Sequence, residues 1–288
     1  MPYSYQQLSA CLAASGIPLA DAREEAVLLL EAFGQESRVD ILCDRNRVYD
    51  TPALDHAVER RLLRYPLQYI LGEWDFFGLT FKVNEHCLIP RPDTEILVET
   101  AIQTLPHGGV FADLCTGSGC IAVSVLKHRP DLTAVALELF PDTLALACEN
   151  AVLHEVRDRF IPLCADLLTN GREVLAPYAP LCGILSNPPY IPKADVDALE
   201  PELFFEPRAA LDGGEDGMVF YQKILSDYTD LLAPGAPVLF EISYDGAEKT
   251  IELGKTYLPH ASCEIIKDLG QNPRVAAFLH PTAPADIS

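Results

Sequence analysis

The sequence predicts an α/β protein: a mostly parallel sheet covered by helices on both faces, preceded by a small all-helical domain and a β-hairpin linker. Three observations carry this reading. Apolar residues recur at helical spacing before residue 72, aromatic and β-branched residues flank Gly78, and short apolar runs alternate with helical patterns from residue 110 onward. Alternation of that last kind implies parallel strands joined by crossover helices.

In the first region, "LADAREEAVLLLEAF" places Leu19, Ala22, Ala26, Leu29 and Leu30 near one helical face. Thr51 followed by Pro52 supplies an N-cap and a favourable first position for "ALDHAVERRLLRY". There Leu54, Val58, Arg61 and Leu62 lie near one another, and the cluster Arg60, Arg61, Arg64 lies mostly off the apolar stripe. No catalytic signal stands out in this bundle. "EWDFFGLTFKVNEHCLIPRPDTE" reads as a hairpin about Gly78 that ends at the rigid connector Pro90-Arg91-Pro92, with Asp93 or Thr94 capping the helix "EILVETAIQTL". The expected boundaries are 1–72 for the helical domain, 73–92 for the linker and 93–288 for the α/β domain. In the last of these, strands are expected at "VFADL", "TAVALE", "RFIPLCAD", "LCGILSN", "PVLFEI", "SCEIIKD" and "RVAAFLH", with helices at 120–128, 141–154 and 217–232. The long insert at 191–216 is rich in Pro, Asp and Glu, and inserts of that length are usually functional or mobile.

With 288 residues, 49% apolar and 22% charged, the chain has the composition of an ordinary globular protein. It lacks an apolar run of about 18 residues and a basic-then-apolar leader, so neither a membrane span nor a signal peptide is expected. Its nine cysteines include no C-x-x-C pair, and most sit in apolar runs, as reduced thiols of a cytoplasmic protein would. Cys115 and Cys120 have neither zinc-finger spacing nor histidines nearby, so no metal is expected. Forty-two acidic against 21 basic residues give a net charge of −21. Such a surface disfavours nucleic acid, whose affinity rests on Lys and Arg displacing counterions, and it favours a basic partner. A role in solubility accounts for the charge equally well.

The chemistry-bearing motifs fall at strand ends. "ADLCTGSGCIA" closes the first strand at Asp113 and forms a tight G-x-G-x-x-A turn through Cys115, Thr116, Gly117, Ser118 and Gly119 before a helix. Glycines there let a ligand approach the backbone at a helix N-terminus, and the fold so implied is Rossmann-like. No Gly-Lys-Ser/Thr follows, so it is not a P-loop. Nineteen residues after Gly119, the second strand ends at Glu138, placed to accept from two ribose hydroxyls. "LCAD" ends a third strand at Asp166, whose carboxylate or neighbouring Leu167 amide is placed for an adenine amino group. "ILSNPPY" ends the fourth with Asn187, Pro188, Pro189 and Tyr190. Ligands of open α/β sheets bind at that edge.

A ligand of this shape is NAD or S-adenosylmethionine, and no His or Tyr-x-x-x-Lys arrangement offers itself for hydride chemistry. Asn-Pro-Pro-Tyr suits methylation of a planar NH2 group. The prolines cannot donate backbone N–H groups and hold the loop stiff. The Asn187 oxygen and the Pro188 carbonyl can each accept one N–H, and both bonds strengthen as positive charge builds on nitrogen. The Tyr190 ring can stack on the flat group and aim it for in-line transfer.

At this point the residues resemble a known family, the HemK/PrmC protein-(glutamine-N5) methyltransferases, which act on the Gly-Gly-Gln loop of peptide chain release factors. The similarity runs nearly end to end, through "LIPRPDTE", "DLCTGSGCIA", "SNPPYIP", "FEPRAAL", "LFEI" and "DLGQNPRVA". It implies a seven-stranded class I methyltransferase domain. It assigns S-adenosylmethionine to the Cys115–Gly119 turn, Glu138, Asp166, Leu167 and Asn187, and the substrate amide to Asn187, Pro188, Pro189 and Tyr190; Asp113, closing the first strand, is expected to join the cofactor site. Cys115 and Glu138 depart from a frequent glycine and a frequent aspartate. The implied protein is a monomer whose helical domain and hairpin help recognise a release factor. A ribosomal-protein glutamine is the alternative substrate, and a nucleic-acid amine a more distant one. Arg91 either lines the site and meets substrate or pairs with an acid at the domain junction; Glu206 is read as an anchor of the long loop in preference to a base; Glu241 ends a strand near the cleft or is solvated.

Overall fold

The computed structural model describes residues 2–279. The chain divides into two compact units, Met1–Glu73 with Glu200–Phe205, and Trp74–Leu199 with Glu206–Ser288. Among the described residues no helix is long and apolar enough to cross a membrane.

The first unit runs β1 (Tyr3–Ser4), α1 (Tyr5–Ala14), α2 (Leu19–Gly34), α3 (Arg38–Cys43), β2 (Val48–Tyr49), α4 (Pro52–Leu62) and α5 (Leu67–Leu71), with β1 and β2 antiparallel. Ser4 and Gln7 form a reciprocal capping box at α1, and the Thr51 hydroxyl accepts from the Leu54 amide at 3.1 Å to start α4. Leu8, Leu12, Ala22, Ala26, Leu29, Leu30, Leu54 and Val58 make the core. Two expectations fail here. Leu19 opens α2 and is 52% exposed, off the stripe that Ala22 and Ala26 begin. Arg61 is buried rather than outside the stripe, because two carboxylates neutralise it: it donates to Glu25 at 2.7 and 2.9 Å and to Glu202 at 3.1 Å. Arg64 donates to Glu202 as well, at 2.6 and 2.7 Å, and Phe205 meets the Tyr65 ring edge-on. The middle of the long insert thus belongs to the helical unit.

The hairpin is β3 (Glu73–Phe76) and β4 (Leu79–Lys82), joined by Phe77 and Gly78 with φ of 51° and 72°. Two consecutive left-handed residues match the right-handed twist of the flanking strands, which is why the glycine stands there. The remaining elements are α6 (Glu95–Thr104), β5 (Gly109–Leu114), α7 (Cys120–His128), β6 (Leu132–Glu138), α8 (Pro141–Leu153), β7 (Phe160–Cys164), α9 (Gly171–Leu175), β8 (Gly183–Ser186), α10 (Val219–Asp227), β9 (Val238–Glu241), α11 (Ala247–Tyr257), β10 (Ser262–Lys267) and β11 (Pro273–Leu279). His280, read as the end of the last strand, lies outside the described residues.

Seven strands form one sheet in the order β10-β11-β9-β8-β5-β6-β7, and only β11 runs against the rest. Alternate side chains face opposite layers, as a period of two requires. Phe111, Ala134, Ala136 and Leu185 pack with α6, α7 and α8. Ala112, Val135, Leu137 and Ile184 pack with α10 and with Leu175 of α9. From β5 the chain moves outward through β6 and β7, then returns to β8 on the other side of β5. That reversal opens a crevice at the carboxyl ends of β5 and β8.

Candidate functional site

The turn after β5 is built by alternation. Cys115, Gly117 and Gly119 all have left-handed backbones, with φ of 62°, 55° and 80°. A non-glycine residue in that region costs roughly 1 kcal/mol, so Cys115 holds a strained place in the turn. Asp113, wholly buried, secures it: one carboxylate oxygen accepts from the Thr116 hydroxyl at 2.6 Å and from the Ala122 amide at 3.2 Å. Its other oxygen is buried without a partner, and burial pushes the carboxyl up to about 7 against those two bonds. Gly119 lies where a Cβ would come 3.1 Å from the Ala147 Cβ of α8, whereas a Cβ on Gly117 would meet nothing within 4 Å. The backbone therefore packs tightly behind the turn and stays open in front of it. Asn150 on α8 ties this turn to the hairpin, donating to the Ser118 carbonyl at 2.9 Å and exchanging bonds with the Lys82 backbone.

Glu138 ends β6 and is buried. Its oxygens accept from the amides of Gly117 (3.0 Å), Leu139 (2.9 Å) and Phe140 (3.2 Å). Burial raises its pKa, and the three N–H donors oppose the rise. A carboxylate has about four acceptor positions, so one remains for a ligand. Beyond β7, the Asp166 carboxylate accepts from the Leu168 amide at 2.8 Å while its own amide donates to Asn170. Beyond β8, the Asn187 amide nitrogen donates to the Thr94 hydroxyl at 3.3 Å.

These residues converge on one cavity of about 380 Å³ in the crevice. Its wall includes Cys115 to Ser118, Glu138, Asp166, Leu167, Asn187, Pro189, Arg91 and Thr94. Asp113 and Gly119 stand behind the turn, shaping it. The wall at the Asn-Pro-Pro-Tyr segment is made by Asn187 and Pro189, while Tyr190 is half-buried and packs towards the layer that holds α10. Burial first, and then the Glu241 carboxyl, push the Tyr190 phenol up to about 12. The ends of the long insert close behind this segment: Ile191 donates to the Leu211 carbonyl and accepts from Gly213, both at 2.9 Å.

Arg91 both lines the cavity and donates to Glu206, which also accepts from the Ile89 amide at 3.0 Å. The sequence reading missed what three further residues touch, although it placed Glu241 at a strand end near the cleft. Thr94 stands at the N-cap position of α6, after a 3₁₀ turn over Pro92–Thr94, but its side chain makes no cap bond and its hydroxyl meets Asn187 instead. Asn150 gives no local sign of its contacts 32 and 68 residues away. Glu241, 3% exposed at the end of β9, has the Thr94 hydroxyl and the Asn187 amide beside it and one oxygen with no partner.

Comparison with known proteins agrees with this architecture. Residues 5–72 match the PrmC N-terminal domain, and residues 92–233 match the Methyltransferase small domain. A release factor glutamine methyltransferase of Geobacter sulfurreducens is 40% identical over 236 residues, 80% of either chain. Its namesake from Staphylococcus aureus is 36% identical over 227 residues, covering 78% of this chain and 79% of that one. A methyltransferase structure from Pyrococcus furiosus, 18% identical, aligns with a TM-score of 0.50 over 71% of this chain and 90% of its own, a likeness of fold alone.

Proposed function

The chain belongs to the release factor glutamine methyltransferase family, and on that premise we propose how its cavity carries out the reaction. The protein methylates the side-chain amide nitrogen of a release-factor glutamine, with S-adenosylmethionine as methyl donor. The glutamine is that of the Gly-Gly-Gln motif.

The observation that carries the reading is the convergence of the glycine turn, Glu138, Asp166 and Asn187 on one crevice at the reversal of strand order. The residues present suit the cofactor. Open space in front of Gly117 admits a ligand against the backbone, and the one remaining acceptor of Glu138 is suited to a single ribose hydroxyl, where the sequence suggests two. Residues Cys115 to Ser118, Glu138 and the Asp166–Leu167 segment would hold it, with Asp113 acting through the shape of the turn. When bound, it supplies an electrophilic methyl group. The protein's own part is positional and electrostatic. The amide nitrogen is a weak nucleophile because its lone pair is delocalised; the Asn187 oxygen and the Pro188 carbonyl accept its two N–H bonds and gain strength as charge develops. Pro188 and Pro189 keep those acceptors fixed, Tyr190 packs behind them against the α10 layer and not in the wall where a stacking ring is expected, and Arg91, held by Glu206, contributes a cation to the wall. The helical unit and the hairpin recognise the protein substrate. A surface carrying −21 favours a protein over a phosphate backbone.

The test is direct. Purified protein, S-adenosylmethionine and a release factor should yield one methylated glutamine, located by peptide mass mapping. N187A should lose about 100-fold or more in kcat, the scale of removing one transition-state contact. Methylation mapped elsewhere, or full activity in N187A, overturns the reading.

A further inference from the structure

We propose that Glu241, with Thr94, is a positioning residue that locks the Asn187 amide with its oxygen towards the substrate, so that the site accepts an NH2 group and refuses a carbonyl. The inference rests on the assignment of Asn187 above and deepens it. An asparagine amide has a donating end and an accepting end of nearly the same shape, and only its neighbours decide which end faces out. Here the nitrogen faces Thr94, to whose hydroxyl it donates at 3.3 Å. The Glu241 carboxyl lies beside both side chains and is 3% exposed. Turning the amide over would set its oxygen against the buried Glu241 carboxyl, two oxygens that repel whenever that carboxyl is ionised, and would give up the N–H donated to Thr94.

Other charges leave Glu241 free for this task. Arg274, a cation that acts on it, is shared between Asp93 at 3.1 Å and Asp268 at 2.9 Å. Tyr221 donates to the Glu241 backbone carbonyl at 2.8 Å, which fixes the strand end without engaging the carboxyl. One carboxyl oxygen is buried with no donor at all. Leaving it so costs stability, and a side chain kept at such a cost beside Asn187 points to a role through Asn187. Thr94 is the intermediary. Its hydroxyl can accept from Asn187 and donate to the carboxyl at once, which a methyl group cannot do.

The experiment measures kcat, KM for a release factor, and S-adenosylmethionine affinity by calorimetry in E241Q, T94V and T94S. Glutamine at 241 can turn its own N–H towards Asn187 and so stabilise the reversed amide. Its kcat should fall about 100-fold with KM and cofactor affinity within about 2-fold, the pattern of a contact made only in the transition state. T94V should show the same split, and T94S should restore most of the lost rate. Should E241Q fail to fold, judged by its thermal transition, the T94V and T94S pair carries the test. Wild-type kcat in E241Q or T94V, or a loss confined to KM or cofactor affinity, overturns the inference. An inactive N187A beside a fully active E241Q would sink this inference alone; an active N187A would sink the assignment beneath it.

Discussion

Gly213 offers a sharp perturbation of the Asn-Pro-Pro-Tyr segment. A Cβ built there would lie 2.7 Å from the Tyr190 Cα, 2.8 Å from the Pro189 carbonyl oxygen and 2.9 Å from the Gly217 Cα. All three are backbone atoms, so no side chain can rotate away. Gly213 has no left-handed φ, and an alanine suffers from crowding alone. Ordinary contact begins near 3.4 Å, so the Pro189-Tyr190 backbone or the Gly213 turn must retreat by about 0.7 Å. The amide of Gly213 also donates to the Ile191 carbonyl at 2.9 Å, which restrains the turn and passes the strain to the substrate segment.

Overpacking of this kind costs about 2 kcal/mol in stability, and a displacement approaching 1 Å at a reacting group costs roughly 10- to 100-fold in rate. G213A should therefore lower kcat by that factor and shift the urea midpoint, while cofactor affinity, which depends on the turn after β5, stays unchanged. Gly235 provides the control: its φ is 82°, but nothing lies within 4 Å of a Cβ there. G235A should cost about 1 kcal/mol of backbone strain and leave kcat alone. Equal kcat in G213A and G235A would refute the claim that the Gly213 turn buttresses Asn-Pro-Pro-Tyr.

Two further outcomes are expected. R61M leaves Glu25 facing a neutral side chain and Glu202 held by Arg64 alone, and urea denaturation should show a loss of about 3 kcal/mol; a loss under about 1 kcal/mol would mean the ion pairs are exchanged for water at no cost. Burial raises the Asp113 carboxyl from 3.8 to about 7, so the folded chain holds that proton more tightly than the unfolded one. Its contribution to stability is then complete below about pH 4 and is lost as pH rises through about 7. D113N should flatten the decline in stability between pH 5 and 7.5 relative to the wild type, and superimposable pH–stability curves for the two proteins would count against the assignment.

The parts of the fold that were legible from sequence are those decided by neighbours a few residues apart. Each of the seven runs read as strands contributes a strand to the sheet, and α7 covers Cys120–His128 as its pattern required. The Phe77-Gly78 turn follows from one glycine between two aromatic runs. What escaped depends on distant partners. Arg61 reads as a surface cation until Glu202, 141 residues on, comes to meet it. Thr94 reads as a helix cap because its actual partner, Asn187, is 93 residues away. Helix α11 has a glycine at 254, which weakens a helical pattern; in the fold a Cβ there would collide with the Phe278 ring, so packing and not helix propensity selects it. At the candidate site, the strand-end residues were visible and their division of labour was not. Nothing in "ADLCTGSG" tells that Asp113 turns inward to brace Thr116 and Ala122 while Glu138 faces the cavity.

That division bears on the chemistry. Asp113, Glu138, Asp166 and Glu241 stand at or just beyond the carboxyl ends of β5, β6, β7 and β9, and burial raises three of them, Asp113, Glu138 and Glu241. A sheet edge rich in poorly solvated carboxyls destabilises the fold and favours a cation brought against it. Methyl transfer to an amide moves positive charge from the donor towards the accepting nitrogen. Glu138 and Asp166 lie on the wall assigned to the donor, whereas Glu241 lies behind Asn187, on the accepting side. On the role proposed for it, Glu241 is drawn towards its ionised form as positive charge arrives and makes the Asn187 oxygen a stronger acceptor, and the attraction lapses once the methylated amide sheds its proton and becomes neutral. Stability given up at Glu241 is in this way returned as a preference for the transition state over both the substrate and the product.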